Sequence, residues 1–254
     1  MCSSDLSDDL FLGSAQTYMG VNTNSALGDP APMDLGVGPL GRIYVWDTVP
    51  AAKATNNLAT ASVYTSTITL TAGSGVTLTT NAAGTAVYQL DVPRAVAVTL
   101  GAGSPTTRNV TITGFDYYGQ AMSEVIATGT TQSTTVNGKK AFFQITGATI
   151  SGSPVVTIAL GTTDILGLPV RVTNAGYIAH TGWDNTLAAD AGTFVAAVTT
   201  TATTTTGDVR GTYVPSSATD GAKRLVVGIL LPALACGPNS TRAGALGVNQ
   251  NLAS

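Results

Sequence analysis

The sequence has few of the side chains that carry out chemistry. Charged residues make up 10 % of its 254 residues, aromatic residues 6 %, and there is a single histidine, His180. A Ser-His-Asp or Cys-His site would need that histidine, and the residues around it form no nucleophile elbow. The only glutamate is Glu124, so paired catalytic carboxylates are confined to aspartate. We therefore predict no enzyme, no cofactor and no metal site.

Cysteine is also scarce, with Cys2 and Cys236 near opposite ends of the chain. Neither belongs to a zinc-binding spacing. Two cysteines do not make a disulfide framework, so we expect free thiols, with one disulfide as the alternative.

Basic clusters and long apolar runs are missing as well. The net charge is −3 and the 11 basic residues are scattered, which argues against nucleic acid as a partner. The apolar run Val226–Leu231 is far shorter than the ~18–20 residues of a membrane span. The acidic stretch Ser3–Asp9 lies where a signal peptide would be basic. We expect no membrane partner and a protein that is made and used without export.

Threonine and glycine dominate what is present, with 42 and 29 residues. Threonine suits a pleated, half-solvated strand, and glycine supplies the turns between short strands. This composition predicts an all-β protein, an antiparallel β-sandwich or partly open barrel.

The first 57 residues differ from the rest because glycine and proline alternate there without sustained periodicity. We predict an extended N-terminal arm over 1–57. Its rings, Phe11, Tyr18, Tyr44 and Trp46, need a surface to bury them, which is either the same domain or a neighbouring chain; we favour the neighbour. Met1–Leu6 resembles a translated sequencing-adapter tail, with an ordinary polar terminus as the alternative, and is left out of the fold reasoning.

Alternating apolar and polar residues predict a β domain over 58–235, which can divide into two subdomains near 172–192, and an extended tail over 236–254. The predicted strands include Val63–Leu70, Asn109–Thr113 and Lys223–Leu231. Asn137–Gly138 predicts a two-residue hairpin turn between Gln132–Val136 and Lys140–Thr146. A second hairpin is predicted between Ala148–Ile150 and Val155–Leu160. Pro169 favours a sheet edge or corner.

Two charge pairs are candidate contacts within or between subunits. Asp208 and Arg210 would project to the same side of a strand. Asp164 and Arg171 flank the Leu-Gly-Leu-Pro corner. Each pair would stabilise little if exposed and more if buried.

Four segments resemble a known group of proteins. Gly114–Glu124 has the form G-x-D-x-Y-G-Q-x-M-x-E, and the similarity continues through Val136–Phe142, Asp164–Arg171 and Thr206–Arg224. These segments resemble virion structural proteins of tailed bacteriophages, of the head decoration, cement or minor capsid type. The resemblance covers roughly residues 108–230, and no catalytic signature is part of it.

The resemblance implies a structural role on the outside of the virion capsid. Such a protein clamps neighbouring capsomers of the major capsid protein through contact area and strand addition, commonly as a homotrimer. Alternatives are a head-fibre or tail-associated module that binds host glycans, or a connector or neck protein. A glycan binder would need a cleft lined by Trp46 or Trp183, whereas core or subunit packing is the other role for these rings.

Overall fold

The computed structural model describes residues 42–184, 188–198, 200 and 202–231. These residues form twelve strands: β1 (Arg42–Thr48), β2 (Ala54–Ser62), β3 (Val76–Thr80), β4 (Ala86–Leu100), β5 (Asn109–Phe115), β6 (Ala121–Ala127), β7 (Thr135–Ile150), β8 (Ile158–Gly167), β9 (Ile178–Trp183), β10 (Thr193–Val195), β11 (Thr212–Val214) and β12 (Leu225–Leu231). One short 3-10 turn, Ala175–Tyr177, precedes β9.

The strands form two antiparallel sheets. The larger has the order β10-β11-β8-β4-β7-β5-β6, with β2 also paired to β8 and β3 to β4, and it curls into a half-barrel. The smaller has the order β1-β12-β9. The predicted all-β class is confirmed, in the partly open form.

The two sheets enclose two hydrophobic cores. The first core fills the half-barrel with side chains such as Ile112, Phe142 and Leu160. The second core lies between the inner face of the small sheet and the chain that continues from the end of β8, and it includes Leu168 and Val227. β4 and β8 contribute to both cores, so the two halves share these two strands.

The predicted hairpin at Asn137–Gly138 is wrong. β7 runs without a turn from Thr135 to Ile150. On the paired strand β4 one residue lies between Ala95 and Ala97. On β7 three residues lie between their partners Asn137 and Ala141, so β7 bulges at Gly138–Lys140. A bulge and a hairpin turn both use glycine, and the local sequence does not distinguish them.

The predicted pairing of Ala148–Ile150 with Val155–Leu160 is also wrong. β4 lies between β7 and β8, so the connection over Ser151–Pro154 crosses a strand instead of forming a hairpin. Val63–Leu70 makes only an isolated bridge, between Thr67 and Thr149. The predictions for Asn109–Thr113 and Lys223–Leu231 are confirmed by β5 and β12. Pro169 lies in a bend after β8, as its sequence context predicts.

Part of the predicted arm lies in the described structure. Residues 42–57 form β1 and the start of β2, and β1 pairs along its full length with β12 of the same chain. These residues of the predicted arm therefore pack on their own domain, which is the alternative to contact with a neighbouring chain. The rest of the predicted arm and the tail over 236–254, with both cysteines, lie outside the described residues.

Candidate functional site: a buried charge network

The four segments that carry the family resemblance meet in three dimensions. They are linked by residues 202–211, which we call the strap. Thr204 in the strap accepts a hydrogen bond from the backbone N–H of Val125 on the edge strand β6 (2.8 Å). At the other end, the carbonyl of Gly211 accepts from the N–H of Leu168, just after β8 (3.1 Å). The strap therefore connects the last strand of the half-barrel to the region beyond β8.

Arg210 fixes the strap to the turn between β5 and β6. Its Nη1 forms an ion pair with Asp116 Oδ2, and both side chains are almost completely buried. The guanidinium also lies 4.7 Å from the centre of the Tyr118 ring, a distance typical of a cation–π contact. The Tyr118 hydroxyl donates to the carbonyl of Pro169 (2.8 Å). Arg210 and Tyr118 together thus join three of the four segments.

The geometry of the β5–β6 turn follows from Asp116. Its Oδ1 accepts the backbone N–H groups of Tyr118 and Gln120, both at 2.8 Å. This local capping is the usual role of an aspartate that opens a turn. The second oxygen is then directed at Arg210, so a single carboxylate both shapes the turn and binds the strap.

Glu124 occupies the bulge in β7. It points inward from β6, between the buried Met122 and Ile126. Its Oε1 accepts the N–H of Lys139, and Oε2 lies 3.4 Å from the N–H of Lys140. Burial raises the pKa of this carboxyl to about 7, against the lowering effect of the two backbone N–H groups. The carboxyl replaces the strand partner that the bulged backbone has lost.

Lys140 and Asp208 complete the network. The Lys140 side chain is 0 % exposed. Asp208 Oδ2 accepts the N–H of Ala141 (2.9 Å), and Oδ1 accepts the N–H of Arg210 (2.8 Å). Burial lowers the pKa of the Lys140 amine and raises the pKa of the Asp208 carboxyl, because both lose hydration. The carboxyls of Glu124 and Asp208 therefore lie beside adjacent backbone groups of β7.

The structure brings Asp208 and Arg210 together, as the sequence indicates, but gives them different roles. Arg210 pairs with Asp116, and Asp208 accepts backbone N–H groups. Both side chains are buried inside their own chain. The sequence reasoning missed Asp116, Glu124 and Lys140. A usable signal existed for Glu124, the only glutamate, because it stands at an inward position of an alternating strand.

The predicted pair between Asp164 and Arg171 is not formed within the chain. Asp164 instead binds Lys53 Nζ (2.8 Å) and the hydroxyl of Thr219 (2.7 Å). Arg171 Nη2 donates to the carbonyl of Val198 (3.2 Å). The corner after β8 turns the arginine away from the strand that carries Asp164.

The predicted aromatic contacts fall into two groups. Tyr44 and Trp46 on β1 and Trp183 on β9 are partly buried against the second core, and Trp183 Nε1 donates to Asp190 (3.1 Å). Phe11 and Tyr18 lie outside the described residues. The two tryptophans therefore contribute to packing.

The described part of the chain holds no group of three histidine, cysteine or acidic residues placed to bind a metal. His180 is exposed on β9. An open groove of about 900 Å³ has Lys53, Asn137, Asp164 and Ser216 in its lining, and the Asp164 carboxylate there is already paired. No helix among the described residues is long and apolar enough to cross a membrane.

Comparisons with protein-family models, with curated proteins and with solved structures found no match for this chain.

Proposed function

We propose that this chain is a structural protein of a tailed-bacteriophage head. It binds the outer surface of the capsid as a homotrimer and clamps neighbouring capsomers of the major capsid protein. The proposal starts from the resemblance of the four segments and is supported by one surface of the molecule.

The supporting surface is the outer face of the small sheet. Ile43 and Val45 on β1 are 62 % and 59 % exposed, and Leu230, the register partner of Ile43 on β12, is half-buried beside them. Contiguous exposed apolar side chains favour a contact with another protein. This is the observation that carries the proposal.

The position of the terminal segments adds to this argument. Arg42 and Leu231 are register partners at one end of β1 and β12. Residues 1–41 and 232–254 therefore join the small sheet at adjacent points. Chain segments that leave from one place beside an apolar face can reach neighbouring subunits or capsomers and add contact area there.

The buried network supports the same role in another way. Residues of the four resembled segments bind one another inside the chain, and their contacts hold the strap to the turn between β5 and β6 and to β7. A clamp benefits from a rigid body, because less free energy is spent on ordering it when it binds.

The test replaces Ile43 and Val45 together by serine in the full chain. We expect loss of cosedimentation with shells of the major capsid protein from the same genome, and loss of self-association in analytical ultracentrifugation. Both side chains are already exposed, so the thermal unfolding temperature should change little.

The matched control is Leu78→Ser, because Leu78 is similarly exposed (55 %) on β3 of the other sheet. This variant should bind shells as the unaltered chain does. The proposal is rejected if the unaltered chain neither associates nor binds shells, or if the double serine variant binds them equally well.

A further inference from the structure

The open groove of about 900 Å³ is not used by the proposed function. It extends from β2 across β8 and β4 to β7. Its floor is Ala97 on β4, which lies between two residues of the first core, Val96 and Val98, and therefore points away from that core. Gly161 on β8 and Asn137 on β7 are both register partners of Ala97. Because partners on antiparallel strands point to the same face, the three positions form one row across the groove.

Two walls rise from the ends of this row. A Cβ on Gly161 would collide with the carbonyl oxygen of Ala54 and lie 2.5 Å from the carbonyl carbon of Thr55. The backbone of β2 therefore passes directly over Gly161, on the same face as Ala97, and forms the first wall. The second wall carries the side chain of Asn137, which is exposed at the position immediately before the bulge in β7.

The groove is polar but has no net charge. Lys53 and Asp164 are the only charged residues in its described lining, and they pair with each other (2.8 Å). A single neutralised lysine does not attract a polyanion such as nucleic acid. Most of the other lining side chains carry hydroxyl or carboxamide groups, which an apolar ligand would leave without partners. A neutral ligand with many hydrogen-bonding groups fits this lining.

Two carboxamides in the groove are available to such a ligand. The side chains of Asn56 on β2 and Asn137 on β7 are exposed, and within the described part of the chain neither carboxamide has a hydrogen-bond partner. Each carboxamide offers two donors and an acceptor oxygen. This set matches the neighbouring hydroxyl groups of a sugar, each of which donates and accepts. The methyl group of Ala97 on the floor can contact the C–H face of the sugar ring.

We propose that this groove binds a neutral oligosaccharide, with Asn56 on one wall and Asn137 on the other as its main hydrogen-bonding residues.

The strand pairing favours a sugar over an extended polypeptide. A peptide that binds to a sheet is held chiefly by backbone hydrogen bonds to a free strand edge. In the floor of the groove, β8 and β4 are each paired on both sides. Recognition in the groove therefore depends on side chains.

The affinity should be low, because no aromatic ring lies in the part of the lining that the structure describes. Trp46 and Trp183 pack against the second core instead. Hydrogen bonds to the ligand replace hydrogen bonds to water, so each contributes little net free energy. We expect a Kd of about 1 mM.

The test is an NMR titration of the isotope-labelled full chain with maltohexaose, cellohexaose, mannohexaose and the hexamer of N-acetylglucosamine. We expect at least one of these sugars to bind and to shift the side-chain NH₂ signals of Asn56 and Asn137. Replacing both asparagines, Asn56→Ala with Asn137→Ala, should weaken binding about tenfold. The urea midpoint should stay unchanged, because neither side chain bonds to the rest of the fold.

The matched control is Asn109→Ala, since Asn109 is an exposed asparagine on β5 outside the groove. Its Kd should equal that of the unaltered chain. The proposal is overturned if no sugar shifts the two asparagine signals at about 10 mM, ten times the expected Kd, or if the double alanine variant binds equally well. Shifts caused by a peptide of alternating alanine and threonine, but by no sugar, would assign the groove to a polypeptide and also overturn it.

The inference does not depend on the proposed capsid role. The groove lies on the larger sheet, whereas Ile43 and Val45 lie on the small sheet. No capsid protein takes part in the sugar titration, so its failure would leave the shell-binding test unaffected, and the reverse also holds.

Discussion

At the scale of single residues, the polar side chains in the interior define the shape of the half-barrel. Arg94 is a further case, since its fully buried guanidinium binds the carbonyl of Ala51 and the carboxylate of Asp91 (2.7 Å). Removing one partner of such a pair is strongly destabilising, because the other charge stays buried without compensation. The fold therefore depends on a few polar residues as much as on its apolar cores.

The carboxyl of Glu124 predicts a specific pH dependence. Its pKa is about 7 in the folded chain and 4.5 in its ordinary state. Between these values the folded chain holds a proton that the unfolded chain has lost, so the free energy of unfolding should decrease as pH rises from 4.5 to 7. At about 1.4 kcal/mol per pKa unit, the decrease is on the order of 3 kcal/mol.

Urea unfolding across this pH range measures the effect. The variant Glu124→Gln should show a clearly smaller decrease; the part that remains comes from Asp208, whose raised pKa acts in the same direction. Equal slopes for the variant and the unaltered chain would show that Glu124 does not titrate in this range.

At the scale of the strand, irregularities determine where side chains point. β4 contains Pro93, and its pairing with β7 is interrupted between Gln89 and Arg94. A proline is tolerated in a strand at such an interruption, because no ladder hydrogen bond is needed from it. The bulge in β7 plays a comparable role, since it exposes backbone N–H groups to Glu124.

Gly138 is required by this bulge. A Cβ at this position would lie 2.5 Å from Glu124 Oε2 and 3.0 Å from the carbonyl oxygen of Val96. We expect Gly138→Ala to lower the free energy of unfolding by about 1–3 kcal/mol, because the added methyl group must displace the carboxyl or the neighbouring strand.

Gly147 offers a matched control on the same strand. A Cβ there would meet only Thr113 Oγ1, at an ordinary contact distance of 3.5 Å. Gly147→Ala should therefore leave the urea midpoint unchanged or raise it slightly, since alanine restricts the unfolded chain. Similar midpoints for both variants would contradict the role assigned to Gly138.

At the scale of the whole molecule, long-range pairings hold the two sheets together. β1 pairs with β12, and β2 pairs with β8, across most of the described sequence. The shared strands β4 and β8 extend through both cores. The two parts should therefore unfold together, although the sequence allows two subdomains.

Two spectroscopic signals test this cooperativity. Trp46 and Trp183, the only tryptophans, both pack against the second core, so tryptophan fluorescence reports on that core alone. Far-UV circular dichroism reports chiefly on the larger sheet. We expect the two urea transitions to coincide. The variant Val227→Ala, in the second core, should shift both transitions to lower urea by the same amount.

A fluorescence transition that clearly precedes the circular dichroism transition would indicate that the small sheet unfolds separately. The shared strands β4 and β8 would then not be sufficient to make the two cores unfold cooperatively.

The sequence by itself determined the all-β class, several strands and the absence of a recognisable catalytic motif. These follow from threonine content, period-two alternation and residue inventory, which are local properties. Only the tertiary structure decided that Gly138 lies in a bulge, that β4 separates β7 from β8, and that Arg210 pairs with Asp116. Each of these depends on contacts between residues far apart in the chain, and the burial that selects one partner over another exists only after the sheet has curled.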